Sequence, residues 1–387
     1  MKAVFFHGAK LKYDEKNDKY YTFGGLNKEF LVKYLEYFDS VTLVTRKEKI
    51  KDSEREKISE CNAENIFFNP ISNFSMLKLF LGKYNKKIKE EIQKNDFCIM
   101  RMPNLISFVA IHYAIKMNKD YLIEMVGCPW DAFWNYGNIK GKLMAPFMYI
   151  MTKHYVKKAK NVIYVSNEFL QKRYPNKNNN IGCSDVNLWY IDENVLKKRL
   201  KKIESKKKDD IYKLGIIGSL NVNYKGHSQA IKALSILNNS NVQLHFLGAG
   251  NKEKWQQLAK KYKVEEQVFF DGVLPGGEKV YEWMDELDLY LIPSLQEGLP
   301  RALVEAMSRG CPAIGAKTGG IPELIGKEVI FGRKQYKKLA EMINNVIYDK
   351  TKLKEMANRN FQKSLEFDNE KLKLKKQKFM KNILNIH

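Results

Sequence analysis

The sequence predicts an α/β protein of two domains, each a parallel sheet wrapped by helices, and three observations carry that prediction. The chain has 387 residues, more than one core holds and enough for two domains of roughly 150–200 residues each. Short apolar runs of strand character alternate with Lys/Glu/Leu segments of helical character along the whole chain, the rhythm of βα units. A basic stretch with little apolar content, KKRLKKIESKKK at 197–208, interrupts that rhythm and puts a boundary between about 185 and 212.

The first strand is Lys2–Phe6. A polar loop follows to Thr22-Phe23-Gly24-Gly25-Leu26, a glycine turn that opens a helix over Lys28–Tyr37. Ser40–Thr45, Asn65–Phe68, Phe97–Met100, Asp120–Val126 and Asn161–Ser166 continue the series of strands. Beyond the basic stretch, strands are expected near 213–217, 242–247, 267–270, 288–292 and 312–315, and a Lys-rich helix from about 367 offers Leu372, Leu374, Phe379 and Leu384 as contact points. The domains are accordingly drawn as 1–190 and 191–366, with 367–387 a terminal helix.

Composition narrows the function classes. With 44% hydrophobic and 12% aromatic residues the chain can bury two cores, which excludes a disordered protein. The net charge of +23 favours acidic partners: nucleic acid, anionic lipid or phosphorylated small molecules. Five scattered cysteines without CxxC spacing suggest neither a disulfide framework nor zinc. The apolar run Ala3–Phe6 is too short for a signal peptide core, and Leu143–Met151 is about half a bilayer span. A cytoplasmic protein is expected.

The stretch Asp288–Ile325 carries the chemistry. A strand ends at Pro293-Ser294, a loop bears Glu297-Gly298-Leu299, and Pro300 suits the first turn of a helix that stops before Gly310. First-turn N–H groups at the carboxyl end of an open α/β sheet make a phosphate site. Glu297 and Glu305, eight residues apart, would repel a diphosphate and are better read as acceptors for sugar hydroxyls. An isolated pair of this kind is more often surface solubiliser.

The whole stretch resembles the signature of family 4 of the retaining glycosyltransferases with the GT-B fold. The E-x7-E spacing is met, with Pro-Ser before it and Gly310-Cys311-Pro312 and Gly319-Gly320-Ile321-Pro322-Glu323 after it. The resemblance implies two Rossmann-like domains with a cleft between them, an N-terminal acceptor domain, a C-terminal domain holding a nucleoside diphosphate-sugar, with a UDP-sugar the expected donor, and a terminal helix that crosses back to the N-terminal domain. It implies that Glu305 binds the ribose and Glu297 the donor sugar, and that the backbone of Leu299, Pro300, Arg301 and Ala302 contacts sugar and phosphates. The family's Gly-Arg-Leu…Lys-Gly pattern reads here Gly218-Ser219-Leu220 and, further on, Lys225-Gly226, keeping the lysine and losing the arginine. Lys225 and Glu297 are therefore the candidate catalytic groups. Gly248 and Val273 stand at strand ends where the base passes along the main chain, and Gly24-Gly25 resembles the N-terminal glycine loop.

The resemblance also has gaps. Related enzymes carry a histidine after a central strand of the N-terminal domain, and Ile123-Glu124-Met125-Val126-Gly127-Cys128-Pro129-Trp130-Asp131 has none. Trp130, Asp131 and Arg101 are the acceptor candidates, with Glu124 a further one, and Phe133, Trp134 and Tyr136 serve equally as core or as sugar-stacking wall. Cys183-Ser184-Asp185 stands where an Asn-Gly turn is usual.

The pattern from Val126 to Pro175 resembles enzymes of bacterial capsular polysaccharide and other surface-glycan assembly, which implies a polyprenyl-diphosphate-linked or free glycan acceptor at the inner face of the cell membrane. Lys140, Lys142, Lys153, Lys157, Lys158 and Lys160, which flank Leu143–Met151, are then expected to meet an anionic membrane surface. No acidic cluster suited to a metal accompanies the phosphate site, so no metal and no cofactor are expected. Other GT-B enzymes, such as a sugar-nucleotide epimerase or a glycan phosphorylase, are rivals, though a phosphorylase needs a longer chain. Nucleic-acid binding is disfavoured because no binding module or aromatic-basic platform is visible.

Overall fold

The structure, a computed structural model, describes residues 1–72, 82–135, 139–189 and 191–385, so Tyr136 lies outside the described residues. The chain divides into two compact units: Met1–Trp130, Met144–Cys183 and Lys376–His387 form the first, Asp131–Leu143 and Ser184–Lys375 the second.

The first unit is built on β1 (Lys2–Asp14), β2 (Lys19–Thr22), β3 (Ser40–Lys49), β4 (Ser59–Glu60), β5 (Ile66–Phe68), β6 (Ile71–Ser72), β7 (Phe97–Met102), β8 (Asp120–Met125), β9 (Asn161–Tyr164) and β10 (Asn179–Gly182). Ala3–Phe6 are fully buried because β1 lies between β3 and β7, parallel to both, with Phe6 opposite Val44 on one side and Met100 on the other. The parallel order runs β10-β9-β8-β7-β1-β3-β5. The chain thus builds outward from β1 in one direction and then, from β7, in the other. A ligand crevice forms at such a reversal, beyond the carboxyl ends of the two central strands.

Two expectations fail here. Residues 7–21 are not a polar loop. After a bulge at His7–Ala9, β1 continues to Asp14 and folds back as β2, with Lys12 opposite Tyr21. Alternation drives it: Leu11 is buried, the Tyr20 ring packs on Tyr13 and Phe68, and the buried Lys12 ammonium is held by Glu48 and Glu54, each at 2.8 Å. Nor does one α-helix span Lys28–Tyr37. Only Lys28–Leu31 is α-helical, capped by Asn27, and Val32–Glu36 tightens into a 3₁₀ turn.

The second unit holds β11 (Tyr212–Ile217), β12 (Val242–Leu247), β13 (Val268–Gly272), β14 (Leu289–Ile292), β15 (Ala313–Ala316) and β16 (Ile330–Phe331), all parallel in the order β13-β12-β11-β14-β15-β16. Its reversal lies between β11 and β14.

The basic stretch at 197–208 is no bare linker; most of it lies in the helix Glu193–Ser205. Val195, Arg199 and Ile203, at four-residue spacing, are its buried stripe. Arg199 is 4% exposed, and its guanidinium donates to the carbonyls of Met284 (2.9 Å), Arg309 (3.2 Å) and Leu287. Replacing Arg199 with Met should strand those buried acceptors and cost about 2 kcal/mol; a denaturant midpoint unchanged in R199M would show the helix to be dispensable.

The terminal helix Asn369–Leu384 starts in the second unit, where Leu372 leans on the core, and from Lys376 belongs to the first. Phe379 and Met380 are buried, Leu384 is partly so, and Leu374, expected to make contact, is 64% exposed. All five cysteines are buried free thiols. No described helix is long and apolar enough to cross a membrane.

Candidate functional site

The reversal between β11 and β14 assembles three turns. After β11 the chain passes Gly218 and reaches Lys225-Gly226, which opens the helix His227–Leu237. After β14 it passes Pro293-Ser294 and Glu297 to Pro300, the N-cap of the helix Arg301–Ser308. After β15 it turns at Thr318-Gly319-Gly320.

Backbone contacts lock these turns together. Leu295 N–H donates to the Tyr224 carbonyl at 2.7 Å, and Gly320 N–H to the Gly298 carbonyl at 2.7 Å. Two glycines make the approach possible: Gly226 (φ +84°) lies against the Pro293 carbonyl and Gly319 (φ +54°) against that of Glu297, where any Cβ would collide. The loop bearing Glu297 is therefore clasped from both sides.

Inside the clasp, Lys225 Nζ meets Glu297 Oε1 at 2.7 Å, with the Lys225 stem against Gly218. The side chains are 25% and 9% exposed, so the pair is shielded but open to a ligand on the lysine side. The Glu305 carboxylate, in the second turn of the helix behind it, makes no hydrogen bond or ion pair among the described residues, while the Glu305 main-chain carbonyl accepts from Ser308 Oγ at 2.7 Å. Burial pushes its carboxyl above the ordinary glutamate value, against the opposing pull of Arg301. Leu303 and Val304 N–H return to the Pro300 carbonyl, while those of Arg301 and Ala302 carry no hydrogen bond among the described residues. A cation, two first-turn N–H groups and a partnerless carboxylate thus stand at one sheet reversal. That set can hold a diphosphate and a diol.

The other donor candidates fall around this core. Leu299 is partly buried and Pro300 buried. Ser219 accepts from Asn221 N–H at 3.3 Å. Gly248 N–H donates to the Gly272 carbonyl at 2.7 Å, with its Cα against the Gly218 carbonyl, and Val273 is 66% exposed at the end of β13. Gly24 and Gly25 form an exposed turn of the first unit, where Gly24 N–H donates to Thr22 Oγ1 at 3.0 Å.

The acceptor candidates do not form one group. Asp131 is 1% exposed and paired with Arg333 at 3.2 Å within the second unit, so its carboxylate is committed to holding its own helix. Trp130 packs edge-on against Tyr149 in the first unit. Arg101, near the carboxyl end of β7, holds its guanidinium over the Phe30 ring and bonds Glu124 at 2.9 Å. Glu124, 2% exposed, also receives Lys376 at 3.0 Å and the Tyr34 hydroxyl at 2.8 Å. These opposite charges and hydrogen bonds outweigh its burial and hold its carboxyl far below the usual range, so it stays ionised.

Sequence reasoning missed the Arg333 partner of Asp131, more than 200 residues away and without a local signal, and also His7 at the carboxyl end of the first half of β1.

Residues 197–363 match the family described as glycosyl transferases group 1. The chain is 33% identical over 393 residues to Protein CapJ of Staphylococcus aureus, covering 100% of this chain and 96% of that one. It is 36% identical over 110 residues to the putative colanic acid biosynthesis glycosyltransferase WcaL of Escherichia coli strain K12, or 26% of this chain and 27% of that one. The crystal structure of Anabaena HepE in complex with UDP superposes with a TM-score of 0.66 at 17% identity, covering 99% of this chain and 100% of that one.

Proposed function

The chain belongs to the group 1 glycosyltransferases and has the GT-B fold, and on that premise we propose that it moves a sugar from a UDP-sugar to a glycan acceptor in surface-polysaccharide synthesis. The observation that carries this reading is the Lys225–Glu297 pair at the sheet reversal, together with the N–H groups of Arg301 and Ala302 and the Glu305 carboxylate, none of which has a hydrogen-bond partner among the described residues. WcaL, named for colanic acid biosynthesis, and HepE, which holds UDP, support the pathway class and the nucleotide.

In this reading Glu305 accepts from the ribose hydroxyls, and the two N–H groups with Lys225 hold the diphosphate. As the glycosidic bond to the nucleotide breaks, negative charge grows on the leaving diphosphate. Lys225 and the helix N-terminus stabilise that growing charge more than they stabilise the bound donor, which lowers the barrier. Retention of configuration and independence from metal belong to the same proposal. The test is UDP release from a panel of UDP-sugars with and without a lipid-linked oligosaccharide acceptor. Release should depend on acceptor and persist in EDTA; complete loss on chelation, restored by Mg²⁺, would defeat the metal-free account.

We place the work at the inner membrane surface, with the helix Ile139–Lys158 as the contact. Ile139, Leu143, Phe147 and Ile150, spaced by three and four residues, form one exposed apolar row at 75%, 74%, 40% and 64% exposure, and Lys140, Lys142, Lys153, Lys157, Lys158 and Lys160 are exposed beside it. Apolar insertion and about 1 kcal/mol per lysine add together at an anionic surface. Co-sedimentation with anionic vesicles should be strong at low salt and fall by more than tenfold when Leu143 and Ile150 become Ser; unaltered binding of that variant would discard the helix.

A further inference from the structure

We infer that the carboxyl end of the first unit's sheet holds an oxyanion of the acceptor, a phosphate or a carboxylate, between the Arg46 guanidinium and the His7 imidazole N–H. This rests on the reading that the first unit takes the acceptor.

The place is set by topology. His7 ends the central segment of β1 and Arg101 stands near the carboxyl end of β7, so the two flank the reversal of the sheet, where an open α/β sheet binds its ligand. Arg46 lies in β3, the neighbour on the other side of β1, opposite Lys10. The bulge at His7–Ala9 is held from both sides. Arg46 Nε donates to the Gly8 carbonyl at 2.9 Å, and Gly8 is pressed against Asn104, so closely that a side chain at Gly8 would displace it.

Chemistry then selects the ligand. Ala9 N–H donates to His7 Nδ1 at 2.9 Å, so Nδ1 is unprotonated and the ring proton sits on Nε2. Nε2 makes no hydrogen bond among the described residues and presents its N–H as a donor. His7 is neutral: its burial first, then the Arg101 and Arg46 charges, opposed by Glu124, bring its pKa down to about 3. With its Nδ1 lone pair taken by Ala9 N–H and its proton on Nε2, it donates rather than accepts, so it is a positioning group, and the field it feels is net positive.

Arg46 supplies the second argument. It is half-buried, its burial pulls its pKa down against the smaller opposing pull of Glu48, whose carboxylate is held by Lys12, and among the described residues no carboxylate lies within ion-pair distance of it. Among the described residues its one hydrogen-bond partner is the Gly8 carbonyl, which uses two of the guanidinium's five N–H groups. A shielded cation without a counter-ion is costly unless an anion completes it. Glu124 is not that anion: it is shared by Arg101, Lys376 and Tyr34.

Two sources give the oxyanion: the diphosphate of a lipid carrier, or the carboxylate of an acidic sugar in the acceptor. The full-length protein labelled with ¹⁵N-histidine is titrated with inorganic pyrophosphate, glucuronate and glucose, following the His7 ring signal, assigned by its absence in H7F. The expected result is a saturable shift with pyrophosphate, glucuronate or both, and none with glucose. The anion that binds more tightly identifies the source. In R46M the affinity should fall at least tenfold and in R46K by less, since lysine keeps charge without the fork. No shift with either anion, or an R46M affinity equal to wild type, overturns the inference. UDP binding by calorimetry, run on the same samples, tests the donor reading separately, and the dispersed ring signals of the other histidines of the first unit, His112 and His154, show whether that unit of R46M is folded.

Discussion

Replacing Lys225 with Ala should lower turnover about 10²–10³-fold, the loss seen when one donor to developing negative charge is removed. Affinity for free UDP should fall as well, by about 1.5–3 kcal/mol for a charge-assisted bond to the diphosphate. The structure adds a condition that spacing alone does not give: Lys225 is already bonded to Glu297 at 2.7 Å. A diphosphate must compete for that ammonium, so Glu297→Gln should free it. UDP affinity of E297Q is expected to equal or exceed that of the wild type, while turnover falls because the sugar loses its contact. K225A also leaves Glu297, 9% exposed, without its counter-ion. The double variant K225A/E297Q should therefore bind UDP better than the sum of the single losses allows. Calorimetry with UDP and kinetics on the four proteins decide it; additive losses would mean that the pair does not face the diphosphate.

Glu305→Ala should cost UDP about 3 kcal/mol, roughly a hundredfold, from two charge-assisted bonds to the ribose hydroxyls. Glu305→Gln should lose less, because the amide still accepts one bond. The group brings its own pH dependence. Burial raises its pKa in the free protein, while the diol is held by the ionised form, so binding must expel any proton present. UDP affinity should fall as pH drops through that raised value, at a higher pH than an ordinary glutamate would give, and E305Q should flatten the dependence. An identical pH profile for wild type and E305Q would remove Glu305 from the ribose.

Much of this was legible in the sequence, and the exceptions share a cause. Parallel strands buried on both faces read as apolar runs, so most strands, including the central β1, β7, β11 and β14, fall where the runs predict. The E-x7-E spacing survives folding because both glutamates belong to one loop and helix. What failed depends on distant partners. Arg199 reads as surface because arginine is seldom buried, yet three carbonyls between 284 and 309 complete it. The hairpin from Lys10 to Thr22 reads as loop because its charges are answered by residues distant in sequence, Glu48, Glu54, Arg55 and Glu60 among them. His7 gave no signal: its environment is made by residues 46, 101 and 124.

The buried thiols give the protein a built-in gauge of its own breathing. Burial raises Cys61 and Cys98 to about 12 and pushes Cys311 up as well, so in the closed state they are protonated and shut off from alkylating reagents. A thiol reagent can reach them only during transient opening, and its rate reports the free energy of that opening. Cys61, Cys98, Cys128 and Cys183 belong to the first unit and Cys311 to the second. Peptide-resolved labelling of the unmodified protein therefore separates the fluctuations of the two halves, and repeating it with UDP shows which half the nucleotide quiets.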